Sequence, residues 1–357
     1  MIHKDIFISR TASIKEALKK LNQTAEKVLL ISDDKRTLLG TITDGDIRRY
    51  ILSGKSLEND IDDVYNRNPI YMKKEDFSAD SAKDIFLKNR IELLPILDGT
   101  NKIVDFATWS QLFAGDKSAP SRIGKIGIPV VIMAGGKGSR MEPFTRILPK
   151  PLIPIGDKSI IETIIDEFKN YGVSEFYVTL NYKSEMIKAY FNSIEKDYKI
   201  RYVTEDDFLG TAGSLKLLEK DIEKVFIVSN CDVIVKTNLE DVLNFHKEKG
   251  AALTIISSLQ HYRIPYGVIK FKEGGEVTSI HEKPEYSFNI NTGVYMLGKD
   301  ALKFIPERTP FDMTDLIKRL IEGNKKIFIY PVNEKDYIDI GQWEEYQKAI
   351  KKLQLFT

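Results

Sequence analysis

Residues 130–150, VVIMAGGKGSRMEPFTRILPK, decide how this chain is read. Ile128 and Val130–Met133 make a short apolar run suited to a strand buried on both faces, the usual condition of a parallel sheet under helices. Ala134, Gly135, Gly136 and Gly138 follow at once. Small residues there let backbone N–H groups approach a phosphate, and glycine supplies any positive φ the turn needs. Arg140 lies just beyond, and Lys150 sits in a segment whose prolines (143, 149, 151 and 154) are expected to hold it stiff and extended. Two cations on a rigid loop above a row of amides suit a polyanion, so the stretch reads as a cradle for a nucleoside triphosphate. GxxxxGK followed by Ser or Thr is absent, and Met141 takes the last glycine position of GxGxxG, which removes the main support for a kinase or dinucleotide-binding reading. The alternative is an ordinary strand-to-helix turn.

The pattern continues downstream. Ile160, Ile161, Ile164, Ile165 and Phe168 recur at helical spacing and Gly172 follows as a stop. Then come a strand (EFYVTL), a helix (SEMIKAYFNSIEK), a strand (IRYVTE), a turn into a helix (GTAGSLKLLEK) and a strand (KVFIVSN). Strict alternation argues an α/β fold, a doubly wound, mostly parallel, Rossmann-like sheet with ligands at the carboxyl ends of its strands.

The longer segment 134–162, AGGKGSRMEPFTRILPKPLIPIGDKSIIE, resembles the signature of the sugar-1-phosphate nucleotidyltransferases, AGGxGTRLxPxTxxxPKPLxPIxxKPxIE, and the likeness covers most of 128–357. It departs at Ser139, which keeps the hydroxyl of the usual Thr, at Met141 for Leu, and at Ser159, where Pro is common. The resemblance implies that Ala134, Gly135, Gly136, Gly138, Ser139 and Arg140 hold the triphosphate. It also implies that Glu205 to Ser214, with Glu205, Gly210, Thr211 and Gly213, frames the base; a plain helix cap by Thr211 is the alternative. The LGTAG form is similar to members that use GTP or another triphosphate without a simple code.

Asn230-Cys231-Asp232 ends the apolar strand VFIVS. A carboxylate there, facing a triphosphate, would hold Mg2+, which takes few carboxylates plus phosphate oxygens and water. Cys231 departs from the glycine usual in the family and is not read as a nucleophile, because nothing nearby resembles a Cys–His arrangement. YIDIGQW resembles the family's late D-x-G segment, which makes Asp339 the second Mg2+ ligand; as an N-cap of the last helix it would have a structural role. Three further segments resemble those lining the family's sugar pocket: YGV with Gly267, EKP with Glu282 and Lys283, and NTG with Asn291 and Thr292. His246, His261 and His281 show no metal-ligand spacing.

These assignments imply joining an NTP and a hexose 1-phosphate to give NDP-sugar and pyrophosphate, with Arg140, Lys150 and Lys283 as the catalytic cations.

At 357 residues and 42% hydrophobic composition the chain has material for two domains. Lys plus Arg number 53 against 52 Asp plus Glu, and the net charge of +1 gives no electrostatic case for nucleic acid or an anionic membrane. MIHKDIFISRTAS lacks the apolar core of a signal peptide, no apolar run approaches the roughly 18 residues of a membrane span, and the single Cys231 excludes an internal disulfide. A cytoplasmic protein is expected.

Residues 1–115 contain an internal repeat of about 65 residues, boundaries about 1–56 and 57–115. Ser13 precedes IKEALKKL, then KVLLISD, LLGTIT and DGDIRRYIL follow; Ser78 precedes SAKDIFLKN, then IELLPILD, KIVDFATW and SQLF. The order and the GTITDGD segment resemble a tandem pair of CBS domains, an α+β (Bateman) module. The resemblance places a phosphate-binding hydroxyl on Thr43 and a ribose-binding carboxylate on Asp46. The second copy keeps Thr108 but has Gln111 for the carboxylate, so at most one competent adenosine-nucleotide site is expected. The alternative is a packing module through which the chain forms a homo-oligomer. Residues 116–127, rich in Gly, Ser, Pro and Lys, read as a linker, and 128–357 as the transferase domain.

A CBS pair ahead of this domain, with YGVIKF, FDMTDLIKRLIE and YIDIGQWEEY, is similar to the guanylyltransferases of legionaminic acid biosynthesis, which join GTP and glucosamine 1-phosphate into GDP-glucosamine. Guanylyl, cytidylyl, uridylyl or thymidylyl transfer to mannose, heptose or glucose 1-phosphate remains open, as does an adenosine-nucleotide sensor with an inactive transferase domain.

Overall fold

The computed structural model describes residues 5–24, 26–89, 91–113 and 125–354. The chain gathers into two compact units, Met1–Arg122 and Ile123–Thr357. Most of the expected linker, residues 116–124, lies outside the described residues. The rest of it packs into the second unit: Ile126 is buried and its N–H donates to the Tyr171 carbonyl (3.0 Å).

In the first unit the repeat is a repeat of geometry. Val28–Ser32 pairs antiparallel with Leu38–Thr43, and Leu93–Leu97 with Ile103–Thr108; Val28 faces Thr43 and, 65 residues on, Leu93 faces Thr108. Both ladders slip at the same point, after Ile31 and after Ile96. Thr37 bridges Lys102, its own counterpart, with Leu38 N–H donating to Asn101 O and Ile103 N–H to Arg36 O. Arg36 and Asn101 both adopt positive φ there, 63° and 61°. Equivalent residues pairing with each other is what a local two-fold axis requires. Each copy starts its second helix, Asp44–Leu52 or Trp109–Leu112, with a capping box, on Thr43 and Asp46 and on Thr108 and Gln111.

The second unit is built on a seven-stranded sheet in the order Lys199–Thr204, Glu175–Leu180, Val130–Met133, Val225–Asn230, Glu285–Gly298, Leu253–Arg263, Ile327–Asn333. Only Glu285–Gly298 runs antiparallel to its neighbours. Val130 and Ile132 point into a core with Ile160, Ile161 and Ile164, whereas Val131 and Met133 point into one with Ala212, Leu215 and Leu316. The strand is therefore covered on both faces. Ser159, where the related signature has Pro, caps Ile160–Lys169: its backbone N–H donates to Glu162 (2.8 Å) and its Oγ accepts from Glu162 N–H (3.4 Å).

Two expectations are corrected. The proline segment is not extended but folds into short 3-10 turns, Phe144–Arg146 and Lys150–Leu152, because proline suits the first turn of a helix and the Pro143, Phe144 and Pro149 carbonyls accept from the residues that follow. The helix expected over GTAGSLKLLEK shrinks to one α-turn, Gly210–Gly213, followed by a 3-10 turn, Ser214–Leu218. Gly210 enters at φ 80°, and the Ala212 and Gly213 N–H groups donate to Phe311 O (2.9 Å each) instead of waiting for helical partners. Among the described residues no helix is long and apolar enough to cross a membrane.

Candidate active site

Val130–Met133 and Val225–Asn230 lie side by side and parallel, Asn230 opposite Met133, so the glycine turn and the Asn230–Asp232 segment leave the sheet together. Between them is a cleft of about 240 Å3, lined by Gly135, Gly136, Gly138, Ser139, Arg140, Lys150, Glu205, Gly210, Thr211 and Asp232. Ten of the residues singled out from sequence therefore converge. Met133, Thr179, Phe208, Asn230 and Cys231 line it too and were not picked as ligands. Phe208, 48% exposed, offers a ring on which a base could stack, and a large apolar residue just ahead of the Gly210 turn was its signal.

Gly138 must be glycine. Its φ is 68°, and a Cβ would lie 2.9 Å from Thr145 Cγ2 and 3.0 Å from Lys150 Cβ. Thr145 Oγ1 donates to Gly138 O (3.0 Å), fastening the turn to the next loop. Ala134 is buried, its N–H donating to Thr179 O (3.0 Å), and so supports the cradle without facing the cleft.

Short ladder pairing between Val233–Val235 and Tyr337–Asp339 brings the two aspartates together, with Val233 opposite Asp339 and Ile340 N–H donating to Asp232 O (2.8 Å). Asp339 Oδ1 accepts from Gly341 N–H (2.5 Å). A Cβ on Gly341 would lie 2.7 Å from Asp339 Oδ1 and 3.3 Å from Asp232 Oδ2, so both carboxylates face a space that only glycine leaves open. Among the described residues no cluster of three or more His, Cys, Asp or Glu suits a metal. Two convergent carboxylates are nonetheless what a hard cation completed by phosphate oxygens and water would use. Lys150 Nζ donates to Asp232 Oδ2 (2.5 Å) and to Gly341 O (3.2 Å).

The surroundings tune the other ionisable groups. Burial, then the Asp339 and Asp232 charges, push the Tyr337 phenol up. Burial and Asp232 push the Cys231 thiol up to about 12, so it stays protonated at neutral pH and is no nucleophile. Glu205 is 4% exposed and burial pushes its carboxyl up, while the Leu209 N–H donating to Oε2 (2.9 Å) opposes that.

Thr211 caps no helix of its own. It donates to Asp312 Oδ1 (3.1 Å) and accepts from Met313 N–H (2.9 Å), tying the Gly210–Gly213 turn to the start of Met313–Glu322. Gly213 packs where a Cβ would meet Leu209 Cβ at 2.9 Å. Gly267, Glu282 and Lys283 lie at the end of the ribbon formed by Val268–Phe271 and Val277–His281, outside the residues that line the cleft. Glu282 Oε2 lies 3.0 Å from the Cβ position of Gly267, and Lys283 has φ 46°. Asn291 is exposed and donates to Tyr295 OH (2.6 Å); Thr292 is buried, with its hydroxyl donating to Ile256 O (2.6 Å). In the first unit, Asp46 accepts from Thr43 N–H (2.8 Å) and Oγ1 (2.7 Å) and pairs with Arg49.

Known proteins are similar to this chain. UTP–glucose-1-phosphate uridylyltransferase of Synechocystis is 30% identical over 62% of each chain, and mannose-1-phosphate guanyltransferase of Pichia angusta is 33% identical over 60% of this chain and 61% of its own. The bifunctional protein GlmU of Methanococcus maripaludis is 32% identical over 60% of this chain and 52% of its own. The chain thus spans between 52% and 62% of the length of these curated relatives. Among solved structures, HddC from Yersinia pseudotuberculosis superposes with a TM-score of 0.50 at 27% identity, covering 63% of this chain and 99% of that one. The CBS domain profile matches residues 1–53 and the nucleotidyl transferase profile residues 129–355. With most of the chain inside the second profile and its glycine turn, cations and paired aspartates gathered at one sheet edge, the chain belongs to the nucleotidyl transferase family.

Proposed function

We propose that the second unit joins a nucleoside triphosphate to a hexose 1-phosphate, releasing pyrophosphate, and that the pair is GTP and glucosamine 1-phosphate on the route to legionaminic acid. The observation that carries the reaction class is the meeting of the glycine turn, Arg140 and Lys150 with Asp232 across one cleft, with Asp339 beside Asp232.

A sugar-phosphate oxygen forms a new bond to the α-phosphorus, and the bond to the bridging oxygen of the pyrophosphate breaks on the opposite side. No protein nucleophile is needed. Amides of residues 135–139 face the phosphates, Arg140 steadies the departing pyrophosphate, and Lys150 and Lys283 offset charge on the α-phosphate and the incoming phosphate. Mg2+ held by Asp232 and Asp339 would offset phosphate charge when bound.

Relatives named for guanylyl and for uridylyl transfer both occur, so the base rests on Glu205. A carboxylate beside the glycine turn can accept both N1–H and the 2-amino group of guanine; uracil and thymine present one donor between two acceptors. Glu282 offers a carboxylate to the ammonium of glucosamine. The first unit is assigned an adenosine nucleotide at Thr43 and Asp46 and a part in homo-oligomer formation.

Pyrophosphate release with Mg2+, crossing GTP, CTP, UTP, dTTP and ATP against glucosamine, mannose and glucose 1-phosphates, tests this reading. GTP with glucosamine 1-phosphate should be fastest. Another preferred pair would overturn the substrate assignment and keep the class; silence across every pair would overturn both.

A further inference from the structure

Lys183 stands at the N-cap of Ser184–Ser193 with φ 51° and ψ 36°, a left-handed conformation that favours Gly or Asn, and its side chain gives the helix no capping bond. Its ammonium is used elsewhere. Nζ donates to Arg146 O (2.5 Å) and Ile147 O (2.8 Å) and reaches Thr145 O at 3.4 Å. Three consecutive carbonyls at the end of the Phe144–Arg146 turn thus converge on one cation, the charge that the carbonyl end of a helical turn prefers. Tyr182 adds its hydroxyl to Thr145 O (3.2 Å), and its N–H donates to Gly135 O (3.3 Å).

This hold passes to the phosphate cradle. Thr145, 2% exposed, donates to Gly138 O, and the Cβ position of Gly138 touches both Thr145 Cγ2 and Lys150 Cβ. Lys183 itself is not among the residues lining the cleft. A backbone outlier kept at a non-glycine residue calls for a reason, and the three-carbonyl contact supplies one.

We propose that Lys183 is a positioning residue of the transferase: its ammonium locks the 145–147 carbonyls and, through Thr145, holds the Gly138 turn, Arg140 and Lys150 in place for the triphosphate. This rests on the function proposed above. Misplacing such groups by a fraction of an ångström costs rate far more than it costs the fold.

The test compares wild type, Lys183→Met and Lys183→Cys before and after aminoethylation with 2-bromoethylamine, which rebuilds a lysine-like ammonium; wild type treated in parallel controls for modification of Cys231, which lines the cleft. With the preferred substrate pair, Lys183→Met should lower kcat by about an order of magnitude or more and raise KM for the triphosphate. Aminoethylation of Lys183→Cys should restore most of the rate. A Lys183→Met enzyme within twofold of an active wild type, or an aminoethylated Lys183→Cys no faster than its parent, would overturn the proposal. A second arm needs no turnover. Trypsin should cut Lys183→Met after the exposed Arg146 several times faster than wild type while cutting other sites at unchanged rates; equal cutting at Arg146 would overturn the lock even if the whole panel of substrates were silent.

Discussion

Lys150 Nζ lies 2.5 Å from Asp232 Oδ2, with the two side chains 7% and 15% exposed, so the cation that follows the glycine turn is held by the carboxylate proposed for the metal. Breaking a buried pair leaves one charge stranded, which costs on the order of 3 kcal/mol. Lys150→Met and Asp232→Ala should each lower stability by about that amount in urea unfolding, and the double variant by less than the sum. Both single variants should lose at least about a hundredfold in turnover. Asp232→Ala with near-normal turnover in Mg2+ would remove the metal assignment.

A metal ion held by Asp232 as proposed would have to compete with Lys150 for that carboxylate. Lys150→Met should therefore bind Mn2+ several-fold more tightly than wild type in a nucleotide-free EPR titration, while turning over more slowly. Weaker Mn2+ binding in that variant would count against a shared site.

Gly341→Ala isolates the space between the carboxylates. The methyl carbon would sit 2.7 Å from Asp339 Oδ1 and 3.3 Å from Asp232 Oδ2, so one or both must move. Expected are a fall of a few degrees in unfolding temperature and a loss of about tenfold or more in Mn2+ affinity and turnover. Unchanged Mn2+ affinity would place the metal elsewhere.

What could be read from sequence was local or periodic. Val130–Met133 and the glycines after it are covalent neighbours whose residue types announce a buried strand and a tight turn. Thr43 with Asp46 and Thr108 with Gln111 follow a three-residue spacing that the backbone of a helix start imposes. Lys183 left no such trace: its partners lie 36 to 38 residues away, and a lysine between two polar stretches reads as a solvated charge. Thr211 looks like a cap for its own turn, yet its hydroxyl caps a helix 102 residues on, a choice made only when Phe311 N–H donates to Leu209 O (2.9 Å). Gly341 needed the pairing of two short strands before its missing side chain meant anything.

In the first unit, Asp46 serves the Asp44–Leu52 cap before it can serve a ligand. Asp46→Ala should cost about 1 kcal/mol of that unit's stability without any nucleotide. AMP or ATP should raise the unfolding temperature of the wild type; Asp46→Ala should abolish that rise, and Gln111→Ala should leave it intact. An AMP-induced rise that survives in Asp46→Ala would remove Asp46 from the site.

His246 sets an acid limit on the second unit. It is 3% exposed near the end of Leu239–Lys249, its Nδ1 2.9 Å from Thr254 Oγ1, and burial, then Lys247, pull it from 6.5 down to about 4. The C-terminal end of a helix favours a protonated His by at most about 1–2 kcal/mol, so burial wins. Between pH 6.5 and about 4 the unfolded chain binds a proton that the folded chain refuses, so this contribution to stability is complete above 6.5 and is lost as pH falls. The loss should total roughly 3 kcal/mol by pH 4. His246→Asn, which keeps a polar partner for Thr254, should flatten the stability profile over that window. If urea midpoints of wild type and His246→Asn fall in parallel from pH 7 to pH 4.5, the acid sensitivity arises from other groups.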